Sequence, residues 1–236
     1  MKSIMFTDTS GKVPQQFYPI PAQKKLPDWF LKIKPYHAER ANEGGRLRHM
    51  GTPTGKRCIP MFDAMTAGYI ILSSCDIYIS ETEEGFKYYD WPDVDVEAIQ
   101  FHDPGQMRTL EKSEKYLALP KLINPWAIVT PAGYSSMIVP PINHDNLPIR
   151  IFSGLVDTDT YNSPVNFPFL LSDENFTGMI PAGTPIAQVI PVKREVFSMK
   201  IGGELEIERH EKSRNLRDHK LLNAYRNFFW HRKEYR

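Results

Sequence analysis

The chain has 236 residues, of which 41% are hydrophobic and 24% are charged; this balance excludes a disordered protein and allows one large β domain with terminal extensions. Lysine plus arginine exceed aspartate plus glutamate by one, so no overall field steers the molecule onto nucleic acid or an anionic membrane. The two cysteines form no CxxC pair, and no apolar run reaches the length of a signal segment or a spanning helix. These features predict a protein of a reducing compartment with no membrane partner.

Residues 1–57 have little regular period and are predicted to form an irregular, proline-rich N-terminal arm. Prolines bracket one short helix, which we expect around Asp28 to Ile33. The glycine-rich and basic stretch "NEGGRLRHMGTPTGK" follows this helix. A phosphate-cradling loop requires a strand before it and a helix after it, and neither is evident, so a surface loop is expected here.

Residues 58–200 change to short apolar runs that end at turn residues, the pattern of β-strands. "AGYIILSSCDIYIS" predicts one or two strands, and "NPWAIVTPAGYSSMIVPP" predicts a strand, a turn and a second strand. Further strands are expected in "EGFKYYDWP", "DVDVEAIQFH", "IRIFSGLVDT", "SPVNFPFLL" and "TPIAQVIPVKRE". Because no long helix separates these runs, the pattern indicates a mainly β barrel or sandwich domain.

Residues 201–236 are predicted to form a basic amphipathic helical extension, centred on the last 26 residues. The apolar side chains at helical spacing are a predicted interface: Leu221, Leu222, Tyr225, Phe228 and Phe229. The predicted basic patch consists of Arg226, Arg232, Lys233 and Arg236. Packing on its own barrel, docking on a neighbouring subunit, and contact with nucleic acid or membrane remain alternatives for this helix.

The stretch "GLVDTDTYNSPVNFPF" places Asp157 and Asp159 in one short turn between apolar runs. Aspartate and threonine side chains stabilise turns by bonding to the local backbone, and this is the interpretation that we favour. A general base at Asp157 is the second interpretation, and a divalent-cation site shared by both aspartates is the third. The histidines form no HExxH motif or close cluster with cysteine, so no metal site is expected.

Three segments taken together resemble a known motif series. "TAGYIIL", "TPAGYSSMIVPP", and "GLVDTDTYNSPV" with "IPAGTPIAQVIPVKRE" occur in the same order as the motifs of the dUTP pyrophosphatase and dCTP deaminase superfamily. The stretch "AGTPIAQVI" is the most specific of these matches. The resemblance implies a compact, distorted β-barrel of the dUTP pyrophosphatase type, which is commonly trimeric.

For chemistry, the resemblance implies Asp157 as general base and Tyr161 under the sugar, with Gln188 near the phosphates and Mg²⁺ as the only cofactor. The chain departs from the family where phosphate donors are expected. Pro140 and Pro141 stand in place of the Arg-Ser pair and offer neither a side-chain donor nor an N–H group. The remaining departures are Ile70 in place of the first-motif aspartate, Asn162 and Ser163 in place of Arg-Gly, and a C-terminus without the glycine-rich arm.

The leading hypothesis is therefore a non-enzymatic structural or assembly protein without a cofactor, built on a dUTP pyrophosphatase-like barrel. The sequence also resembles bacteriophage-encoded proteins of unassigned function, which implies a capsid-associated, neck or tail component made in the cytoplasm of the host cell and carried in the virion. The expected partners are copies of itself, as a homo-oligomer such as a trimer, and other particle proteins, with no nucleic acid. The alternatives are a divergent nucleoside triphosphate pyrophosphatase or deaminase, and a nucleotide- or partner-binding module without catalysis.

Overall fold

The computed structural model describes residues 2–37, 53–92, 97–103, 106, 119–219 and 224–236, and these residues confirm a mainly β fold with a C-terminal helix. The strands are β1 (Met5–Asp8), β2 (Ile20–Pro21), β3 (Tyr69–Leu72), β4 (Ile77–Glu81), β5 (Lys87–Asp90), β6 (Ile99–Phe101), β7 (Pro120–Leu122), β8 (Trp126–Val129), β9 (Tyr134–Val139), β10 (Ile149–Ile151), β11 (Gly154–Val156), β12 (Phe167–Leu171), β13 (Gly178–Ile180) and β14 (Pro185–Lys193). The helices are α1 (Asp28–Lys32), α2 (Ile59–Met65), α3 (Glu204–His219) and α4 (Ala224–Phe228).

The strands form small antiparallel sheets. The largest has the order β11-β9-β14-β3-β2, and a second has the order β10-β12-β7-β6. A three-stranded sheet has the order β13-β4-β5, and β1 pairs with β8. The N-terminal arm thus contributes strands β1 and β2 to these sheets. The short helix expected around Asp28 is confirmed by α1.

The core lies between the inner faces of the sheets, as the burial of β12 shows. Phe167, Phe169 and Leu171 are buried in β12, while Pro168 and Leu170 are half-buried. Strand geometry sends alternate side chains to opposite faces, so the stretch "FPFLL" supplies three core residues from one strand. The same cluster contains Ile71, Ile77, Ile79, Tyr89, Ile99, Leu122, Trp126, Ile128, Ile138, Ile149, Ile151, Ile180, Ile186, Ala187 and Val189.

Gly68, just before β3, allows two strands to approach closely. Its φ is +69°, and a Cβ atom at this position would lie 2.0 Å from the carbonyl oxygen of Val189 in β14. Its own carbonyl accepts a hydrogen bond of 2.9 Å from the amide of Ala22. The backbone here requires glycine for both its conformation and its space.

The chain divides into two compact units. The first contains residues 1–27, 65–194 and 235, and the second contains residues 28–64, 195–234 and 236. The domain bounds that the sequence suggested, 1–57, 58–200 and 201–236, stay a prediction. In the described part of the chain, no helix combines the length and the apolar character needed to cross a membrane.

Within the second unit, Asp63 of α2 holds the C-terminal tail. Its Oδ2 atom accepts hydrogen bonds of 2.8 Å from Nε1 of Trp230 and 2.7 Å from Nζ of Lys233. In the same unit, Nζ of Lys56 donates to the carbonyl of Phe30 at 2.7 Å. A lysine at this place satisfies a carbonyl that the end of α1 leaves without a helical partner.

The bounds expected for the C-terminal helix are wrong. Helix α3 begins at Glu204, seven residues before the predicted stretch, and α4 ends at Phe228, so residues 229–236 are not helical. Gly202 and Gly203 precede α3, and Glu204 and Glu206 lie in its first turn, where acidic groups favour the helix dipole. At the other end, the Trp230 side chain bonds Asp63 instead of continuing a helical face. Leu221 and Leu222 lie outside the described residues.

Candidate functional site

The pairing register of the largest sheet brings Asp157 and Asp159, in the turn after β11, close to Arg194, which follows β14. Strand β9 lies between β11 and β14, and it pairs Ser136 with Val156 and Tyr134 with Lys193. The residues that follow these two strands, 157–159 and Arg194, therefore meet at the same end of β9. The amide of Arg194 donates to the carbonyl of Gly133 at 2.9 Å, which extends the ladder by one bond.

Arg194 bridges both aspartates. Its Nη1 atom lies 2.8 Å from Oδ1 of Asp159 and 3.2 Å from Oδ1 of Asp157, and its Nη2 atom donates to Oδ2 of Asp159. Two parallel bonds to one carboxylate are the strong, directional arrangement of an arginine–carboxylate pair. The Asp159 side chain is only 6% exposed, whereas that of Asp157 is 63% exposed. Asp159 is thus the structural partner and Asp157 the accessible carboxylate.

The electrostatics follow from these contacts. The hydrogen bonds from Arg194 lower the pKa of Asp159 from 3.8 to about 2, helped by the Gly133 amide, which donates to Oδ2 at 2.8 Å. The same bond with Asp159 raises the pKa of Arg194. Both groups are therefore charged at neutral pH. Asp157 accepts a further bond of 2.6 Å from the hydroxyl of Ser135.

Beneath the ion pair lies a chain of buried hydroxyls. The hydroxyl of Thr130 donates to the carbonyl of Tyr134 at 2.9 Å, and Oγ1 of Thr158 lies 2.8 Å from the hydroxyl oxygens of both Thr130 and Ser136. Each hydroxyl has one proton to give. Thr130 gives its proton to the carbonyl, so Thr158 donates to Thr130 and Ser136 donates to Thr158. All three hydroxyl side chains belong to buried residues.

The turn itself differs in one respect from the sequence expectation. The backbone closes locally, because the amides of Thr160 and Tyr161 donate to the carbonyl of Asp157 at 3.0 and 2.8 Å. The aspartate side chains, however, also bond residues 22 to 37 positions away. The reason is the register: β9 and β14 supply donors at the point where the carboxylates emerge.

Tyr161 and Gln188, the other two candidate residues, lie in different surroundings. Tyr161 is 48% exposed. Gln188 is buried in β14, where its Oε1 atom accepts from the amide of Ile142 at 2.9 Å and its Nε2 atom donates to the carbonyl of Ala67 at 2.7 Å. The Gln188 amide therefore ties two loops to the sheet. Asp157, Tyr161 and Gln188 as catalytic residues stay a prediction.

In the predicted interface and basic patch, the three apolar members that the structure describes are exposed, and most of the basic ones have acidic partners. Tyr225, Phe228 and Phe229 are 38–47% exposed. Lys233 pairs with Asp63, while Arg232 and Arg236 pair with Glu234 at 2.6 and 2.7 Å. Arg226 is exposed in α4. These pairs reduce the positive charge that the patch presents.

Residues 195–201, which we call the apolar segment, directly follow Arg194 and are the most exposed apolar stretch of the described chain. The exposed fractions are 102% for Val196, 82% for Phe197, 91% for Met199 and 92% for Ile201. The segment belongs to no helix or strand. Among the described residues, 196–201 find no hydrogen-bond partner. Contiguous apolar exposure of this kind marks an interaction site.

The first unit also contains a cavity of about 510 Å³. Its floor is formed by core side chains such as Ile71, Leu122 and Phe167, and Lys12 and Glu97 also line it. Its volume is within the range of small-molecule pockets, and Ser73, Ser74 and Cys75 also line it. Among the described residues, no group of three or more His, Cys, Asp or Glu side chains is placed to hold a metal ion.

Neither a protein-family model nor a curated protein matches the chain. Solved structures that match include the EIAV dUTPase, with 11% identity over 58% of this chain and 84% of that chain, at a TM-score of 0.32. A variant dUTPase from phage phi11 of S. aureus has 12% identity over 59% and 85%, at 0.33. A variant dUTPase from phage 80alpha has 12% identity over 88% and 93%, at 0.35. These scores are below 0.5, so the similarity carries no argument about what this chain binds or does.

The sequence analysis missed the roles of Gly133, Ser135, Ser136 and Arg194. Ser135 lies 22 positions from Asp157, and Arg194 lies 35 positions from Asp159. No short motif spans these separations. The one available signal was that the stretch "GYSSMIV" begins with polar residues and the stretch "IAQVIPVKR" ends with them. Only the antiparallel pairing of these strands brings the two ends together.

Proposed function

We propose that this protein is a non-catalytic subunit that assembles with copies of itself. The observation that carries the proposal is the apolar segment, four of whose side chains are at least 82% exposed in the isolated chain. An isolated soluble chain rarely exposes such a stretch. Covering it with a second copy removes that surface from water without requiring any other partner.

The arrangement around the hairpin supports the non-catalytic part. Arg194, the cation nearest the aspartates, is committed to Asp159 in two parallel bonds and also contacts Asp157. Pyrophosphate chemistry needs cationic or backbone donors directed at the phosphates. An arginine already neutralised by a carboxylate supplies little of that charge.

Burial of the apolar segment alone does not provide enough free energy for a stable oligomer. Burying Val196, Phe197, Met199 and Ile201 gains about 1.5–3 kcal/mol each, or about 6–12 kcal/mol in total. Association costs about 4–15 kcal/mol in lost freedom. The two amounts are comparable, so a stable oligomer also needs an apolar acceptor surface on the neighbouring copy. The exposed aromatic residues of α4 and the residue after it, Tyr225, Phe228 and Phe229, add further apolar surface.

Sedimentation velocity of the full chain tests the assembly. We expect an oligomer for the native sequence and a shift towards monomer for the triple variant Phe197→Ser, Met199→Ser and Ile201→Ser. The matched controls are Met5→Ser and Leu31→Ser measured singly, since each residue is 57% exposed but lies outside the segment. A native chain that stays monomeric at all concentrations would refute the proposal.

The pyrophosphatase alternative is favoured by one specific observation, the 63% exposure of the Asp157 side chain beside the exposed Tyr161. Incubation with dUTP or dCTP and Mg²⁺, followed by product analysis, decides between the functions. Our proposal expects no product. Hydrolysis that is lost in Asp157→Asn would establish the alternative.

The proposal extends to a component of a bacteriophage particle, which rests on the resemblance of the sequence to phage-encoded proteins. Mass spectrometry of purified particles from a strain that carries the gene tests this location. We expect the chain in stoichiometric amounts in the particle. Its restriction to the host-cell lysate would remove the virion assignment and leave self-assembly standing.

A further inference from the structure

The cavity of about 510 Å³ in the first unit is separate from the candidate catalytic residues. Asp157, Tyr161 and Gln188 do not line it. Its walls come from three connections, namely those after β1, between β3 and β4, and between β7 and β8. Every lining residue that the structure describes belongs to the first unit. The cavity is therefore formed within one unit of one chain.

The wall after β1 is held in place by one carboxylate. The Asp8 side chain accepts hydrogen bonds of 2.9 Å from the amide of Ser10, 2.6 Å from the hydroxyl of Ser10 and 2.9 Å from the amide of Val13. The amide and the hydroxyl of Thr9 both donate to the carbonyl of Pro125 at 2.9 Å. These last two bonds join the wall after β1 to the wall between β7 and β8.

The wall between β3 and β4 is fixed by Ser73. Its amide donates to the carbonyl of Thr184 at 2.9 Å, and its carbonyl accepts from the amide of Gly183 at 2.8 Å. Its hydroxyl donates to the carbonyl of Cys75 at 2.6 Å. Because folding alone orders these walls, a ligand that enters the cavity has little further ordering cost to overcome.

The floor of the cavity is apolar. Its side chains, each at most 8% exposed, are Ile71, Leu72, Ile77, Leu122, Phe167 and Ile186. The charged lining residues among those described are Lys12 and Glu97, one of each sign, and both are exposed. A charged group on a ligand would lose its water at the floor without meeting an opposite charge there. The cavity therefore favours an uncharged molecule.

Ser74 and Cys75 supply polar groups beside this floor. Both residues line the cavity and are half-buried. Among the described residues, the amides of both, the Ser74 hydroxyl and the Cys75 thiol donate to no partner. Burial, together with the charge of Asp76, raises the pKa of the Cys75 thiol, so the thiol is uncharged at neutral pH. A mostly apolar lining with a few polar groups that orient the ligand is typical of small-molecule sites.

We propose that the first unit binds a small uncharged molecule in this cavity, with its hydrocarbon body against the floor and one or two hydrogen-bonding groups directed at Ser74 and Cys75. The volume lies within the range of about 300–1,000 Å³ that is typical of such sites. Nucleotides are not the expected ligands, because phosphate groups need cationic donors that the floor does not offer. The site does not depend on self-assembly.

Fluorescence titration with N-phenyl-1-naphthylamine tests the site, because this probe is uncharged and consists of two aromatic groups joined by one N–H group. The matched comparison is 1-anilinonaphthalene-8-sulfonate, which has the same framework and an added sulfonate. We expect the uncharged probe to bind the native chain about tenfold more tightly. Equal or tighter binding of the sulfonate, or no binding of the uncharged probe up to its solubility limit, would overturn the proposal.

The two cysteines locate the bound probe. Cys75 lines the cavity, whereas Cys58 is exposed in the second unit and serves as a control within the same chain. Saturating N-phenyl-1-naphthylamine should slow the labelling of Cys75 by N-ethylmaleimide several-fold and leave that of Cys58 unchanged, as measured by peptide mass spectrometry. Protection of both cysteines, or of neither, contradicts the proposal.

Substitutions separate this site from the apolar segment and from the proposed assembly. Cys75→Phe fills the cavity and should weaken binding of the uncharged probe about tenfold, whereas Cys58→Phe should not change it. The Phe197→Ser, Ile201→Ser variant should bind the probe as the native chain does, whatever its oligomeric state. Loss of binding in that variant would place the probe on the segment and overturn the cavity site, and sedimentation would still decide self-assembly independently.

Discussion

The polar network around Asp157, Thr158 and Asp159 and the apolar segment meet at Arg194 in the sequence. They differ in whether their side chains find partners within the chain. Before that residue, the carboxylates of Asp157 and Asp159 and the hydroxyl of Thr158 each have partners within the chain. After it, Phe197 and its apolar neighbours are almost fully exposed. The difference shows that these polar groups are satisfied within the chain, whereas the segment is suited to a surface that another molecule supplies.

A large loss of stability is expected at Gly68, where the chain just before β3 approaches β14. Gly68→Ala places a Cβ atom 2.0 Å from the Val189 carbonyl at a φ of +69°. Left-handed strain and overpacking together should lower the free energy of unfolding by about 2–5 kcal/mol. Urea denaturation of the native chain and of Gly68→Ala measures this change in the free energy of unfolding.

Gly11→Ala is the matched control for this substitution. Gly11 has a φ of +65°, and a Cβ atom there meets nothing within 4 Å. This variant should lose only the strain contribution, about 1–2 kcal/mol. Equal losses at the two glycines would show that the close approach of β3 and β14 is not what Gly68 provides.

The buried hydroxyl chain gives the next effect. Thr158→Val keeps the shape but removes the proton that Thr158 gives to Thr130 and the oxygen that accepts from Ser136. Leaving these buried groups without a partner should cost about 1–3 kcal/mol of stability. Thr160→Val, at an exposed position of the same turn, should change stability by less than about 0.5 kcal/mol. Thermal unfolding of the two variants at one pH makes the comparison, and a larger loss at Thr160 would contradict it.

The ion pair predicts a pH dependence of defined sign. The pKa of Asp159 is about 2 in the folded chain, below its ordinary value of 3.8. A depressed folded pKa stabilises the fold above the unfolded value, and that stabilisation is lost as pH falls from about 4 to about 2. The melting temperature of the native chain should therefore fall more steeply over this interval than that of Asp159→Asn. Parallel curves would show that the pair does not contribute to stability.

The sequence predicted the elements of this comparison unevenly. Short apolar runs with turn residues at their ends located β3, β8, β9 and β14, because local pattern alone determines such strands. The sequence pattern did not identify β1, β2, β7 or β13, because these strands are short and contain proline, glycine or polar residues. The partners of Asp159 were not predictable either, because they depend on β9 lying between β11 and β14.

The apolar segment illustrates the opposite failure. Its residues alternate between apolar and polar from Phe197 to Ile201, a pattern that within one chain indicates a half-buried strand. The described chain contains no strand there, and the side chains are exposed. Alternation of apolar and polar residues indicates a strand with one apolar face. It does not indicate whether the surface that covers this face belongs to the same molecule.

Substitutions in the apolar segment should change the free energy of unfolding least. This result would distinguish the segment most clearly from the buried core. Phe197→Ser combined with Ile201→Ser removes two large apolar side chains that the isolated chain leaves 82% and 92% exposed. At concentrations below self-association, the free energy of unfolding should change by less than about 0.5 kcal/mol. Phe169→Ser, at a residue 1% exposed, removes a core side chain and should cost at least about 3–5 kcal/mol.

Concentration separates the two contributions of the segment. Binding of folded copies to one another raises the apparent melting temperature as protein concentration increases, because the unfolded chain does not take part. The native chain should show this rise, and the Phe197→Ser, Ile201→Ser variant should not, although both unfold alike when dilute. A segment variant that is destabilised even at the lowest concentration would mean that Phe197 and Ile201 pack within their own chain. The distinction between the satisfied polar network and the exposed segment would then fail.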